Sequence, residues 1–259
     1  MAANSVEKRA KQRSFVIEEK SCKTSVLCSF VSIGKEEEKI MNKGIIFDVD
    51  GTILDSMKIW MDAGKIYLDK FGIEEKENIA EVLFDLTMAE GAKYIKETYK
   101  LDKTIQEIID GINSVVYEFY ENEAMPKDGV LEFIEYLYEN KIPMTVATST
   151  DRPMIEAAFK RLGLEKYFKK IFTTTEVGKG KDNPLIFEKA MEEMKSDKAG
   201  TWLMDDAFYS LNTAYNNGIN TVGIYDDSSK LHQETVKSVS TIYIKDWTQV
   251  KQLIADMNL

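Results

Sequence analysis

Hydrophobic and polar positions follow two different rhythms along the chain. Gly44-Ile-Ile-Phe-Asp48 is a short apolar run ending in an acid, the pattern of a buried strand. Residues 58–125 then contain no proline and repeat their apolar positions at helical spacing. This predicts helices over Ile59–Lys70, Asn78–Phe84, Ala89–Tyr99 and Thr104–Tyr120. After Pro126 strands and helices alternate. Strands are predicted at Met144–Thr148, Ile171–Thr173, Thr201–Asp205, Thr221–Ile224 and Thr241–Ile244. Between and after them helices are predicted over Val130–Asn140, Arg152–Leu162, Pro184–Lys195, Ser210–Asn217 and Thr248–Met257. Gly163 and Gly218 stand where helices end, and Pro184 stands in a first helical turn.

Strands alternating with helices imply an α/β fold, a doubly wound parallel sheet covered on both faces. The helical block is then an insertion after the first strand. The expected organisation is a core of residues 43–57 and 127–259, an inserted helical domain of residues 58–126, and an N-terminal extension of residues 1–42 with no evident role. That extension has its own character. Residues 1–41 carry a net charge of +2 and the remainder −12. Ser14–Ile17 and Ser25–Ile33 are expected to form short strands, and Lys35–Lys39 a solvated linker. Met41 reads like a natural start, which would make the preceding residues an added element, a mis-assigned start or an appended tail.

With 259 residues, 44% of them hydrophobic and 30% charged, the chain can bury a full core and is neither disordered nor collagen-like. The net charge of −10 disfavours nucleic acid and anionic membranes as partners, although a local lysine or metal can reverse the field in one cleft. No apolar run reaches the ~18–20 residues of a membrane span. Ser25–Ile33 follows a basic stretch, but Glu18 and Glu19 interrupt the approach and no small-residue cleavage site follows, which disfavours a signal peptide. The two cysteines, Cys22 and Cys28, are too few for a disulfide framework and are expected to be inert, so the expected compartment is the cytoplasm. One histidine, His232, leaves little material for a multi-histidine metal site or a Ser-His-Asp triad, and it is expected on a surface helix.

In an open α/β sheet ligands bind beyond the carboxyl ends of the strands. The first predicted strand ends in Asp48-Val-Asp50-Gly-Thr52 and the second in Thr148-Ser-Thr150. Gly180-Lys181 follows the third, and the fourth ends in Asp205-Asp206. Acids, hydroxyls and a lysine without histidine or thiolate suit a hard divalent cation and a phosphate. A turn at Gly51 would let two aspartates face one cleft, one as nucleophile and the other to handle protons. Lys181, Thr148 and the amides near Asp50–Thr52 could neutralise a transferring phosphoryl group.

Phe47-Asp-Val-Asp-Gly-Thr52 resembles motif one of the haloacid dehalogenase-like superfamily in its phosphatase and β-phosphoglucomutase-like form. Thr148, Lys181 and Asp205-Asp206 resemble motifs two, three and four, in order and at family spacing over about residues 43–245. The resemblance implies a Rossmann-like core with a helical cap and a Mg²⁺-dependent phosphatase that passes through an aspartyl-phosphate. It implies Asp48 as nucleophile and metal ligand, and Asp50 as general acid/base giving its backbone carbonyl to the metal. Asp206 would be a direct metal ligand, with Asp205 a ligand or a supporting partner. Thr148 and Lys181 would bind the phosphate, and Thr52 would orient the loop. The implied partner is a small phosphorylated metabolite. The oligomeric state is left open, with a monomer favoured.

Departures from the pattern shape the alternatives. Motif three reads Lys181-Asp-Asn-Pro-Leu185, and Ala207 and Ser210 replace the residues usual after motif four. A phosphosugar mutase of the group holds its second phosphate with a cap arginine, where this chain has Met88 within Phe84–Met88. It also carries a histidine after motif one, where this chain has Trp60. Both differences favour a phosphatase over the mutase, and Asp50 argues against a dehalogenase. Phosphonate cleavage would need a cap lysine, for which Lys58 and Lys65 are the candidates. A non-catalytic binding module on the same fold would be favoured by loss of a motif acid, and none is lost. Lys179 rivals Lys181 for the phosphate. Trp60, Ile59, Tyr67 and Phe71 are expected in the cap core, and Met57 and Lys58 at its entrance. Arg152 is expected either at the substrate or at a solvated helix start.

Overall fold

Strand β1 (Gly44–Phe47) lies at the centre of a six-stranded sheet, all of whose pairings are parallel. The others are β2 (Met144–Thr148), β3 (Ile171–Thr173), β4 (Thr201–Asp205), β5 (Asn220–Ile224) and β6 (Ile242–Ile244), in spatial order β3-β2-β1-β4-β5-β6. The coordinates are those of a computed structural model and describe residues 42–259 apart from 77, 84 and 85. The expected strands within residues 14–33, both cysteines, and Phe84 and Asp85 lie outside the described residues.

The central strands are apolar because both faces are covered. Ile45 and Phe47 of β1 point into one hydrophobic cluster and Ile46 into another, as the two-residue repeat of a strand requires. Helices α5 (Val130–Glu139), α6 (Arg152–Leu162) and α11 (Val250–Asp256) supply the first cluster. Helices α8 (Leu185–Met194), α9 (Phe208–Asn216) and α10 (Gln233–Ser238) supply the second. Between β3 and α8 a one-turn helix, α7 (Thr174–Val177), completes the set. Its four residues are too few to leave a periodic signal in the sequence. Gly163 ends α6 in the left-handed conformation, as expected.

The insertion between β1 and α5 consists of α1 (Met57–Asp69), α2 (Ile79–Leu83), α3 (Met88–Tyr99) and α4 (Ile105–Asn122). Capping boxes set the starts of α3 and α4. Thr87 and Glu90 satisfy each other's backbone N–H groups, as do Thr104 and Glu107. Ile59 and Tyr67 are buried in this cap, as expected, but Phe71 and Trp60 are not. Phe71 follows the end of α1, where its ring meets Tyr67 edge-on and Lys103 packs over it. Among the described residues no helix is long and apolar enough to cross a membrane.

Candidate active site

The strand order reverses between β1 and β4, and a crevice opens there beyond the carboxyl ends. Phe47 pairs with Met204 and the Asp48 amide donates to the Met204 carbonyl at 2.9 Å, so Asp48 emerges beside Asp205. The register of these two strands is what joins residues far apart in sequence.

After Asp48 the chain turns tightly. Ile53 and Leu54 donate to the Val49 carbonyl, and Gly51 donates to Leu54. Gly51 sits at φ +76°, and a Cβ there would lie 2.7 Å from Asp206 Oδ2. Glycine is therefore required both for the turn and for the approach of Asp206. These backbone bonds hold the loop. The Thr52 hydroxyl, expected to orient it, is buried and has no hydrogen-bond partner among the described residues.

Lys181 is 3% exposed and lies between two acids, with Nζ 2.5 Å from Asp48 Oδ1 and 2.9 Å from Asp205 Oδ2. Its rival Lys179 is exposed. Asp205 accepts three hydrogen bonds. Its Oδ1 accepts from the Ala207 amide at 2.9 Å, and its Oδ2 accepts from Ser210 at 2.6 Å as well as from Lys181. Ser210, a departure from the family pattern, therefore supports the lysine's partner. Oxygens of Asp48, Asp205 and Asp206 lie within 4.8 Å of one another, all buried, and this triad could hold a metal ion.

The electrostatics follow from three buried acids sharing one lysine. Burial, opposed by Lys181 and reinforced by the charges of Asp205 and Asp50, pushes the Asp48 carboxyl up to about 8. Burial and the neighbouring charges of Asp205 and Asp48 likewise raise Asp206 well above the carboxylate range. For Lys181 burial works downward, but Asp205 and Asp48 outweigh it and keep the ammonium charged. With all three acids ionised the cluster has two more negative than positive charges, and with only oxygen donors it fits a hard divalent cation, which would favour that ionised form.

Asp50 faces a different set of partners. Its Oδ1 accepts from Ser56 at 2.5 Å and from the Tyr120 hydroxyl, and its Oδ2 accepts from Thr150 at 2.6 Å. Trp60 donates to Tyr120 at 3.2 Å. Thr148 is buried at the end of β2, and its hydroxyl accepts from the Thr150 amide at 3.1 Å. Asp48 and Asp206, expected at a metal, are brought together with Asp205; Asp50, expected to offer the metal its backbone carbonyl, turns its side chain toward Ser56, Thr150 and the cap.

Arg152 does not touch the cluster; it stands at the partly exposed start of α6, where it pairs with Glu176 at 2.5 Å and donates to the Ile171 carbonyl. Lys58 and Lys65 pair with Asp62 and Glu75 on the surface of the cap. Met57 lines the cleft, while the Lys58 side chain is 86% exposed.

A family model for haloacid dehalogenase-like hydrolases matches residues 45–224, which hold every residue of the cluster. The chain belongs to the haloacid dehalogenase-like hydrolases. Among relatives of this family it is 21% identical over 180 residues to the phosphorylated carbohydrates phosphatase of Thermotoga maritima, covering 70% of this chain and 83% of that protein. Among solved structures it resembles CbbY of Rhodobacter sphaeroides in complex with phosphate, with a TM-score of 0.66 and 20% identity over 85% of this chain and 100% of that one. It also resembles β-phosphoglucomutase of Clostridium difficile, with a TM-score of 0.61 and 16% identity over 84% and 98%.

Proposed function

We propose that this haloacid dehalogenase-like hydrolase is a Mg²⁺-dependent phosphatase of small phosphomonoesters, acting through a phosphoaspartyl enzyme. The buried set of Asp48, Lys181, Asp205 and Asp206 at the sheet's switch point carries this reading. In it an Asp48 oxygen attacks phosphorus, the bond to the leaving alcohol breaks, and Asp50 gives that alcohol a proton. Asp50 then takes a proton from the water that attacks the same phosphorus. The bond to Asp48 breaks, and phosphate and a free carboxylate return. Lys181 neutralises the phosphoryl group while Asp205 and Ser210 hold it in place. The Thr148 hydroxyl retains its proton for a phosphoryl oxygen. Mg²⁺, held by Asp48 and Asp206 near Asp205, would supply further positive charge against the transferring group.

The phosphatase is favoured over the mutase because no lysine or arginine among the described residues lines the cleft to clamp a second phosphate. The test is phosphate release from a panel of phosphomonoesters, including both glucose monophosphates, in Mg²⁺ and in EDTA, with Asp48→Asn as control. Metal-dependent release that disappears in the variant supports the reading. Interconversion of the glucose phosphates without release would replace it with the mutase.

A further inference from the structure

A cavity of about 850 Å³ runs from Asp206 into the cap, within the ~300–1,000 Å³ common for ligand sites. Its walls divide by chemistry. The core contributes Asp206 at one end and a polar rim of Asp227, Ser228, Ser229 and His232. The described cap residues that line it are almost all apolar, with Met57, Met61, Leu86, Met88 and Ile112 among them. Thr87 supplies the one hydroxyl on that side. It is already used in the capping box, donating to Glu90 Oε2 at 2.7 Å and accepting from the Glu90 amide. The Trp60 N–H is likewise engaged by Tyr120.

Such a wall discriminates against a sugar. Each sugar hydroxyl that loses water needs a replacement partner, and an unpaired one costs about 1–3 kcal/mol. The described side chains of the cap wall offer no free donor. An aromatic ring has no such requirement. Three incompletely buried aromatic side chains line the cavity, Trp60 from the cap (39% exposed) and Phe208 and Tyr209 from the core (36% and 48%). Their faces suit ring stacking, and the methionines beside them adapt to irregular ring shapes.

We propose that the cavity binds the leaving group of the substrate and that this group is aromatic, so that the substrate is the phosphomonoester of an alcohol bearing a planar ring system. The inference rests on the phosphatase reading for the fate of the phosphate, and on the cavity alone for the ring. Ring binding in the cap would hold the ester in register with Asp48, so it should appear in kcat/KM.

The test compares 2-(1-naphthyl)ethyl phosphate with glucose 6-phosphate in the Mg²⁺-loaded protein. Both are primary alkyl esters, which keeps the chemical step comparable. The expected kcat/KM is at least tenfold higher for the naphthyl ester, with that ratio falling severalfold in Phe208→Ala and in Trp60→Ala. Phe208→Ala touches none of the hydrogen bonds around Asp50. Calorimetric titration with the phosphate-free 2-(1-naphthyl)ethanol separates this inference from the phosphatase reading. Binding that weakens in Phe208→Ala, with neither ester hydrolysed, would keep the aromatic site and sink the phosphatase. Hydrolysis without preference for the naphthyl ester, or no binding of the alcohol, would overturn the aromatic site.

Discussion

Tyr120, on helix α4 of the cap, donates its hydroxyl to Oδ1 of Asp50 in the core. Ser56 shares that oxygen, and Thr150 holds the other. Among the described residues, only Tyr120 reaches Asp50 from the cap helices. Trp60 donates to it in turn and lines the cleft, so the cleft wall and the proposed proton carrier are joined through one hydroxyl. Burial and the Asp50 charge both raise the Tyr120 pKa, which keeps the phenol protonated as a donor.

Removing that hydroxyl should therefore affect the chemical step. A hydrogen bond to a charged group is worth ~1.5–3 kcal/mol, which corresponds to roughly tenfold or more in rate. Tyr120→Phe is expected to lower kcat by about tenfold with little change in KM, because the phenol contacts Asp50 rather than the substrate. Steady-state kinetics with a thermal melt to verify folding would check it. An unchanged kcat would remove Tyr120 from the mechanism.

The acid triad predicts how metal and pH act together. In metal-free protein the buried Asp48 binds a proton up to about pH 8, whereas in the unfolded chain it loses that proton near pH 4. The folded pKa lies above the unfolded value, so this group lowers stability as pH rises from about 4 to about 8. A cation needs the deprotonated carboxylates, so stabilisation by Mg²⁺ should grow over the same window. At 100 times its dissociation constant the ion adds ~2.7 kcal/mol. Melting curves with Mg²⁺ and with EDTA at pH 6 and pH 8 should show the larger difference at pH 8, and Asp206→Asn should shrink it. Equal shifts at both pH values would contradict the argument.

Much of the core was legible because strand ends in a parallel sheet carry a local signature, an apolar run closed by a polar residue. Asp48, Thr148 and Asp205 each stand just beyond or at the end of such a run, and the sheet order then brings them together. The cap contacts were not legible. Tyr120 occupies an apolar position in an amphipathic helix, and nothing in that periodicity separates a ring facing the cap interior from one facing Asp50, 70 residues away. Trp60 was read as cap core for the same reason, although it lines the cleft. Ser56 and Thr150 are short hydroxyl residues beside motif residues, and their bonds depend on how Asp50 turns after Gly51. Thr150 could have been found, since it stands two residues after Thr148.

Gly51 supplies a third prediction. Alanine there must adopt a left-handed conformation and push against the Asp206 carboxylate. Gly51→Ala is expected to destabilise the fold by ~1–2 kcal/mol through its backbone. It should also weaken the Mg²⁺-induced thermal shift, because Asp206 must move. Urea unfolding gives the first quantity and the metal titration the second. A variant with lower stability but an unchanged metal shift would show that Asp206 does not depend on that close approach.

Lys127 and Asp226 supply the last. Lys127 follows the cap, and its Nζ lies 2.7 Å from Asp226 Oδ2 in the loop after β5 and 3.0 Å from the Tyr225 carbonyl. Asp226 is 6% exposed. Burial acts to raise its pKa, but the hydrogen bonds from Lys127 and Ser228 outweigh it and leave the carboxyl below its ordinary value. A folded pKa below the unfolded one gives stability that is present above about pH 4 and lost as pH falls through the folded pKa. Lys127→Met removes the ion pair and leaves Asp226 with its Ser228 bonds. The expected loss is ~1.5–3 kcal/mol at pH 7, the range for a hydrogen bond to a charged group. The difference between wild type and variant should shrink as pH falls through the lowered pKa of Asp226. Urea unfolding at pH 7 and at the lowest pH where both proteins remain folded would measure it. A difference that grew on acidification would mean that Lys127 acts through another partner.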